Sequence, residues 1–178
     1  MQKSKIYVGT SGYFYEDWRT VFYPSDLPSN QMLEFYAQYF NIVEINASYY
    51  SIPGIKIFSR MAERTPENFL FIVKTHQETT HRRKENKAAL NKLAKSIKPL
   101  IDSNKFEGYL AQFPYSFKNS EVNRKYLLET KEIIGDIALF VEFRNDTWLK
   151  NQLFDFLDSL IDSPLRFSYH YIHIQPKS

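Results

Sequence analysis

Five short apolar runs in this chain each contain, or end in, a polar side chain that an apolar core has little use for. Glu44 and Asn46 lie in Ile42-Val43-Glu44-Ile45-Asn46, Lys74 closes Phe69-Leu70-Phe71-Ile72-Val73-Lys74, and Gln112 sits in Tyr109-Leu110-Ala111-Gln112-Phe113. Glu142 lies in Ala138-Leu139-Phe140-Val141-Glu142-Phe143, with Arg144 directly after it, and Ile6-Tyr7-Val8 leads into Gly9-Thr10-Ser11-Gly12. Charge left unpaired in such surroundings is costly, so these groups need partners or a ligand. Glu44 and Lys74 either neutralise each other or form an acid–base pair whose pKa values burial and neighbouring charge can tune. Glu142 and Arg144 alternate by two and share a strand face, which fits a structural ion pair as well as a clamp on substrate. A two-carboxylate glycosidase would need Glu44 and Glu142 about 5–10 Å apart.

Around these groups lie several weaker signals. Gly9-Thr10-Ser11-Gly12 fits a tight turn, or a nest of backbone N–H groups for an anion. It is not the G-x-S-x-G elbow, because Gly12 comes one residue too soon, and this argues against a serine hydrolase. His76 and His81 follow Lys74, either as hydrogen-bonded loop residues or as general acid–base candidates. His170-Tyr171-Ile172-His173 has no carboxylate or thiol framework, so no metal is expected there, and the sequence leaves the cofactor open. Tyr13-Phe14-Tyr15-Glu16-Asp17-Trp18 fits loop packing or a platform for a flat, sugar-like ligand. Arg82, Arg83, Lys84, Lys87, Lys92, Lys95 and Lys98 stand against Glu85 alone from 82 to 98. That segment reads as the solvated face of a helix or, alternatively, as a nucleic-acid-binding patch. Outside it the chain is mildly acidic, so the formal charge of +3 says little about the remaining surface.

The five runs are nearly continuous in apolar residues, as expected of a parallel sheet covered on both faces. Between them the spacing leaves room for one crossover helix each. Met32, Leu33, Tyr36, Ala37 and Phe40 share a helical face, with Ser29 placed as N-cap. Leu90, Leu93, Ala94, Ile97 and Ile101 make a second face, and Val122, Tyr126 and Ile133 a third, between Ser120 and a stop at Gly135. Leu153, Phe154, Leu157 and Leu160 make another, and Ile55 to Arg64 a weaker one. One further strand fits between Arg166 and Ile174. This succession of β-then-α units allows an open doubly wound sheet or a (β/α)8 barrel. No G-x-G-x-x-G and no G-x-x-x-x-G-K-[ST] supports the first, whereas a barrel typically needs about 250 residues. Five to six of eight units are expected.

Composition sets the outer bounds. The chain has 178 residues, 15 Phe, 13 Tyr and 2 Trp, enough apolar and aromatic content to bury a core and to exclude disorder. With no Cys, a disulfide scaffold and thiolate metal or redox sites are excluded. No apolar run approaches the ~18–20 residues of a membrane span, and Met1-Gln2-Lys3-Ser4 does not open a signal peptide, so a cytoplasmic protein without membrane contact is expected.

The same motifs, in order, resemble the YecE-like family, domain of unknown function 72. They are Gly9-Thr10-Ser11-Gly12 with Trp18 and Tyr23-Pro24; Val43-Glu44-Ile45-Asn46 with Tyr50 and Pro53; Thr65-Pro66 with Phe69; Val73-Lys74 with Thr80-His81; Gln112-Phe113-Pro114 with Phe117; and Val141-Glu142-Phe143-Arg144 with Trp148. The match runs from about Ile6 to Leu160. The resemblance implies a bacterial cytoplasmic protein with an α/β, TIM-barrel-like fold and supplies no reaction. It marks Thr10, Ser11, Glu44, Asn46, Lys74, His81, Gln112, Glu142 and Arg144 as shared positions. Taken with the residue chemistry, these become Glu44, Lys74, His81 and Glu142 for proton transfer, and Thr10, Ser11, Asn46, Gln112 and Arg144 for holding a small polar, hydroxylated or anionic ligand. The family's later Asp-Glu-Pro and Arg-Phe-His-Gly-Arg-like elements do not occur here. The expectation is a partial barrel domain over 1–160 and a divergent tail over 161–178, from a truncated or frame-shifted product. Such a piece would lack part of the site and be prone to self-association through open edges.

Overall fold

The computed structural model describes residues 6–149 and 167–168. Six strands, β1 (Gly9–Ser11), β2 (Ile42–Ile45), β3 (Leu70–Lys74), β4 (Phe106–Phe113), β5 (Leu139–Phe143) and β6 (Phe167–Ser168), form one sheet in the order β1-β2-β3-β4-β5-β6. Every pairing is parallel. A doubly wound sheet reverses its strand order at a switch point, whereas strands laid down side by side in chain order are wound as in a TIM barrel. The crossovers carry α1 (Met32–Tyr36), α2 (Ala47–Tyr50), α3 (Ile55–Glu63), α4 (Asn86–Ser96), α5 (Lys98–Asp102) and α6 (Glu121–Ile134). The expected helix through Leu153 and Leu160 lies outside the described residues, as do residues 169–174 of the expected last strand.

Three details differ from the sequence reading. The first strand begins later than its apolar residues do, with Ile6 and Val8 80% and 59% exposed. The Val8 N–H donates to Asn41 Oδ1 (3.0 Å), and pairing with β2 starts only at Gly9. A Cβ on Gly9 would lie 1.9 Å from the Ile42 carbonyl oxygen, so only glycine lets the two strands approach there. Second, burial alternates despite the continuous apolar pattern. Val43, Ile45, Phe71 and Val73 are buried, while Ile42, Glu44, Leu70, Ile72 and Lys74 are half-buried. Third, α6 keeps Tyr126 and Ile133 against the core as expected but departs from its apolar pattern elsewhere. Val122 is 78% exposed, and the buried face is Leu127, Thr130, Lys131 and Ile134. Ser120 does cap this helix, accepting from the Asn123 N–H. Ser29 does not cap α1, and its hydroxyl accepts from Arg19 Nη2 (3.0 Å) instead.

Aromatic rings build much of the core. Phe22, Tyr23, Phe35, Tyr36 and Phe40 cluster near β1 and β2. Phe113, Phe117, Phe143 and Trp148 stack near the carboxyl ends of β4 and β5, with Phe143 and Trp148 4.1 Å apart. The Trp148 indole N–H donates to the Phe117 carbonyl (2.6 Å), which satisfies the one polar group of that fully buried ring.

Two buried lysines brace the opposite end of the sheet. Lys105, just before β4, donates to the carbonyls of Ala62 (2.5 Å) and Thr65 (2.7 Å) at the end of α3. Lys131 donates to the carbonyls of Gly135 (2.5 Å) and Ile137 (2.8 Å), closing its own helix before β5. Helix C-termini leave carbonyls without intrahelical partners, and an ammonium there satisfies them and complements the helix dipole.

Candidate functional site

Strand register brings the polar residues together. Ser11 pairs with Glu44, and Gln112 with Glu142, while the pairings Glu44–Ile72 and Lys74–Leu110 carry the same face across β3 and β4. Paired residues of neighbouring strands lie on one face of the sheet. Ser11, Glu44, Lys74, Gln112 and Glu142 therefore line a single face near the carboxyl ends of five successive strands. Ligands of α/β folds bind at that end.

Two hydrogen-bonded chains run along this row. In the first, Asn46 Nδ2 donates to Ser11 Oγ (2.7 Å), whose hydroxyl donates to Glu44 Oε1 (2.9 Å). In the second, Lys74 Nζ donates to Gln112 Oε1 (3.0 Å) and Gln112 Nε2 to Glu142 Oε1 (2.7 Å). Arg144 Nε lies 3.5 Å from the same Glu142 oxygen. Glu142 is buried and Arg144 half-exposed, so a hidden carboxylate anchors an accessible guanidinium.

The chains communicate through charge. Burial holds the Glu44 carboxyl above the usual carboxylate range; the Ser11 hydrogen bond and the Lys74 charge pull it down, and the Glu142 charge pushes it up. His81 sits on a π-helical turn, Glu78–Arg82, which ends at Arg83 in the left-handed region (φ 58°). Its Nδ1 is 2.9 Å from Thr80 Oγ1. Burial, and then the charges of Lys74, Arg144 and Arg83, hold its imidazole below the ordinary value, which favours the neutral form.

Tyr49 completes this corner and was not singled out by sequence reasoning. Lys74 Nζ stands 5.5 Å over its ring, and the His81 ring meets it in a T-shaped contact at 5.1 Å. Its only signal in the sequence is position, three residues beyond Asn46 in a strand-to-helix connection. α2 turns it back over the strand ends, fixed by Ser48 Oγ, which donates to the Lys74 carbonyl (2.5 Å).

Thr10 is not brought to the row. It lies on the opposite face, where its N–H donates to the Tyr36 hydroxyl (2.8 Å) and its own hydroxyl donates to the Gly12 carbonyl (2.5 Å). The Gly12 N–H donates to the Glu44 carbonyl (2.9 Å), so two donors of the glycine turn are engaged within the protein. Within the aromatic stretch, Trp18 packs on Tyr15, Phe22 and Tyr23, and Phe14 remains exposed.

The basic segment is partly tied down. Arg82 pairs with Glu78 (3.1 Å) and Lys98 with Asp102 (2.6 Å). Arg83 donates to Asn123 Oδ1 (2.9 Å) and lies over the Phe117 and Tyr126 rings. Among the described residues no cluster of three or more His, Asp or Glu is placed to hold a metal ion, and no helix is long and apolar enough to cross a membrane. His170 and His173 lie outside the described residues.

The comparison with known proteins follows the same strands. The family described as "Protein of unknown function DUF72" matches residues 7–162. The UPF0759 protein YunF of Bacillus subtilis (strain 168) is 34% identical over 156 residues, covering 84% of this chain and 54% of YunF. The crystal structure of a DUF72 family protein from Thermotoga maritima MSB8 superposes with a TM-score of 0.76 at 38% identity, over 86% of this chain and 61% of that one. A DUF72 family protein from Enterococcus faecalis V583 shares the fold with a TM-score of 0.79 at 22% identity, over 93% of this chain and 60% of that one. The chain thus spans little more than half the length of these relatives. With nearly all of its described strands inside the matched region, this chain belongs to the DUF72 family.

Proposed function

We propose that the strand-end row is an acid–base site for a small, polar, hydroxylated ligand, in a bacterial cytoplasmic protein. The observation that carries this reading is a pair of side-chain hydrogen-bonded chains at the strand ends, one across β1 and β2 and one across β3, β4 and β5, coupled to each other through charge. Asn46, Ser11 and Glu44 form one end, and Lys74, Gln112, Glu142 and Arg144 the other.

The division of labour follows from burial. Glu44 is the proton-transfer group, because its raised pKa brings its titration closer to neutral pH, where a general acid or base works best. Lys74 supplies positive charge next to it and stabilises anionic character developing on a bound ligand. Glu142 is a positioning residue that orients Gln112 and Arg144. Neutral His81 is the second group able to take up a proton.

The test is ligand binding by calorimetry with glucose, gluconate, glucose 6-phosphate and inorganic phosphate, on this chain and on a full-length relative. The reading expects at least one probe to bind, with affinity reduced ten-fold or more by Lys74→Met and altered by Glu44→Gln. Binding that neither substitution touches in either protein would refute it.

A further inference from the structure

The two ends of the row differ in chemistry. At the β1–β2 end, Asn46, Ser11 and Glu44 present an amide, a hydroxyl and one carboxylate, suited to exchanging hydrogen bonds with hydroxyl groups. At the β3–β5 end, Lys74 and Arg144 present two cations beside Tyr49 and a neutral imidazole, with the heads of Arg144 and His81 accessible.

Resting on the site reading above, we infer that the ligand is a phosphorylated polyol, its phosphate set against Lys74, His81 and Arg144 and its hydroxyl groups toward Ser11, Glu44 and Asn46. Charge favours a dianion at this corner. The carboxylates that face it are already engaged, Glu142 with Gln112 and Arg144, Glu78 with Arg82, and Glu44, which feels the Lys74 charge, with Ser11. The accessible Arg144 guanidinium suits phosphate oxygens, Lys74 adds a point charge, and His81 adds a group that becomes a donor when it takes a proton. The Tyr49 ring, held between Lys74 and His81, offers an apolar wall to the C–H face of the polyol. The glycine turn after β1 is the weaker anion site, since its Thr10 and Gly12 N–H groups are committed to Tyr36 and Glu44.

His81 reports directly on an anion at this place. It faces the charges of Lys74, Arg144 and Arg83, which hold its pKa down together with burial, and it contacts Thr80 and Tyr49. A bound dianion offsets that field and raises the pKa.

The experiment is an NMR titration of the His81 ring, assigned with His81→Gln, in the full chain. It is run alone and with tens of millimolar inorganic phosphate, glucose 6-phosphate or glucose. The inference expects phosphate and glucose 6-phosphate each to raise the His81 pKa by about one unit, and glucose to leave it unchanged. Arg144→Gln, a change at a half-exposed side chain, should abolish most of the rise. A shift that survives Arg144→Gln would mark an adventitious ion only and overturn the inference. So would glucose binding, sensitive to Glu44→Gln, with no response to phosphate, although that result leaves the acid–base site standing. Failure of every probe to bind would overturn both.

Discussion

Cations at the two ends of this sheet are held in opposite ways. At the amino end, Lys105 and Lys131 are buried and their ammonium groups point at backbone carbonyls, two each. Those acceptors lie in the last turn of α3 and in the backbone that follows α3 and α6, so they are main-chain groups that no side-chain rotation can withdraw. At the carboxyl end, Lys74 and Arg144 are partnered by side chains, Gln112 and Glu142, and Lys74 also rests over the Tyr49 ring. Side-chain partners can rotate and exchange when a ligand arrives. The first arrangement is a brace, and the second is a set of contacts that a ligand can replace.

The comparison is breakable. Lys131→Met and Lys105→Met each strand two carbonyls and should cost about 2–3 kcal/mol in urea unfolding, the desolvation relieved by losing the charge offsetting part of the loss. Glu142→Leu comes next, at about 1–2 kcal/mol, because half-buried Gln112 Nε2 and half-exposed Arg144 both lose the buried carboxylate they share. Lys74→Met should cost less than about 1 kcal/mol, since Gln112 keeps its bond to Glu142. If Lys74→Met destabilised as much as Lys131→Met, the distinction between brace and site would be lost.

Glu44 gives the smallest effect and the opposite sign. Its carboxyl is raised above its unfolded value, so its contribution to stability is fully present below the unfolded pKa and is lost as pH rises through the folded one. Glu44→Gln should therefore stabilise the protein at pH 7–8, by less than about 1 kcal/mol, and the gain should vanish near pH 4. Thermal unfolding of both proteins across that range checks the sign. A group kept at a cost to stability is expected where function, rather than folding, selects it.

Much of this was legible in the residues. The runs around Glu44, Lys74, Gln112 and Glu142 identified four strands because each is apolar and bounded by turns, and the polar intruders in them identified the row. Crossover spacing left a doubly wound sheet and a barrel both open, and the absent nucleotide-loop motifs with the family resemblance favoured the chain-order winding that the sheet has. What failed was whatever depended on one residue acting against type. Ile6 and Val8 look like strand but are exposed, because Gly9 is the first position where the backbone can approach β2. Val122 looks buried and Lys131 exposed, and each is the reverse; Lys131 is drawn in because its ammonium closes its own helix end. Thr10 shares a motif with Ser11 but the opposite face of a strand, which alternation alone implies. Tyr49 was illegible because its place depends on α2 folding back over Lys74.

The claim everything else rests on is that groups from β2, β3 and β5 form one electrostatically coupled site. The direct measurement is the Glu44 carboxyl titration by carbon-detected NMR in the wild type, Lys74→Met and Glu142→Gln. The account predicts a Glu44 pKa above the ordinary glutamate value, higher again in Lys74→Met and lower in Glu142→Gln. A Glu44 that titrates at its ordinary value and ignores both substitutions would contradict it.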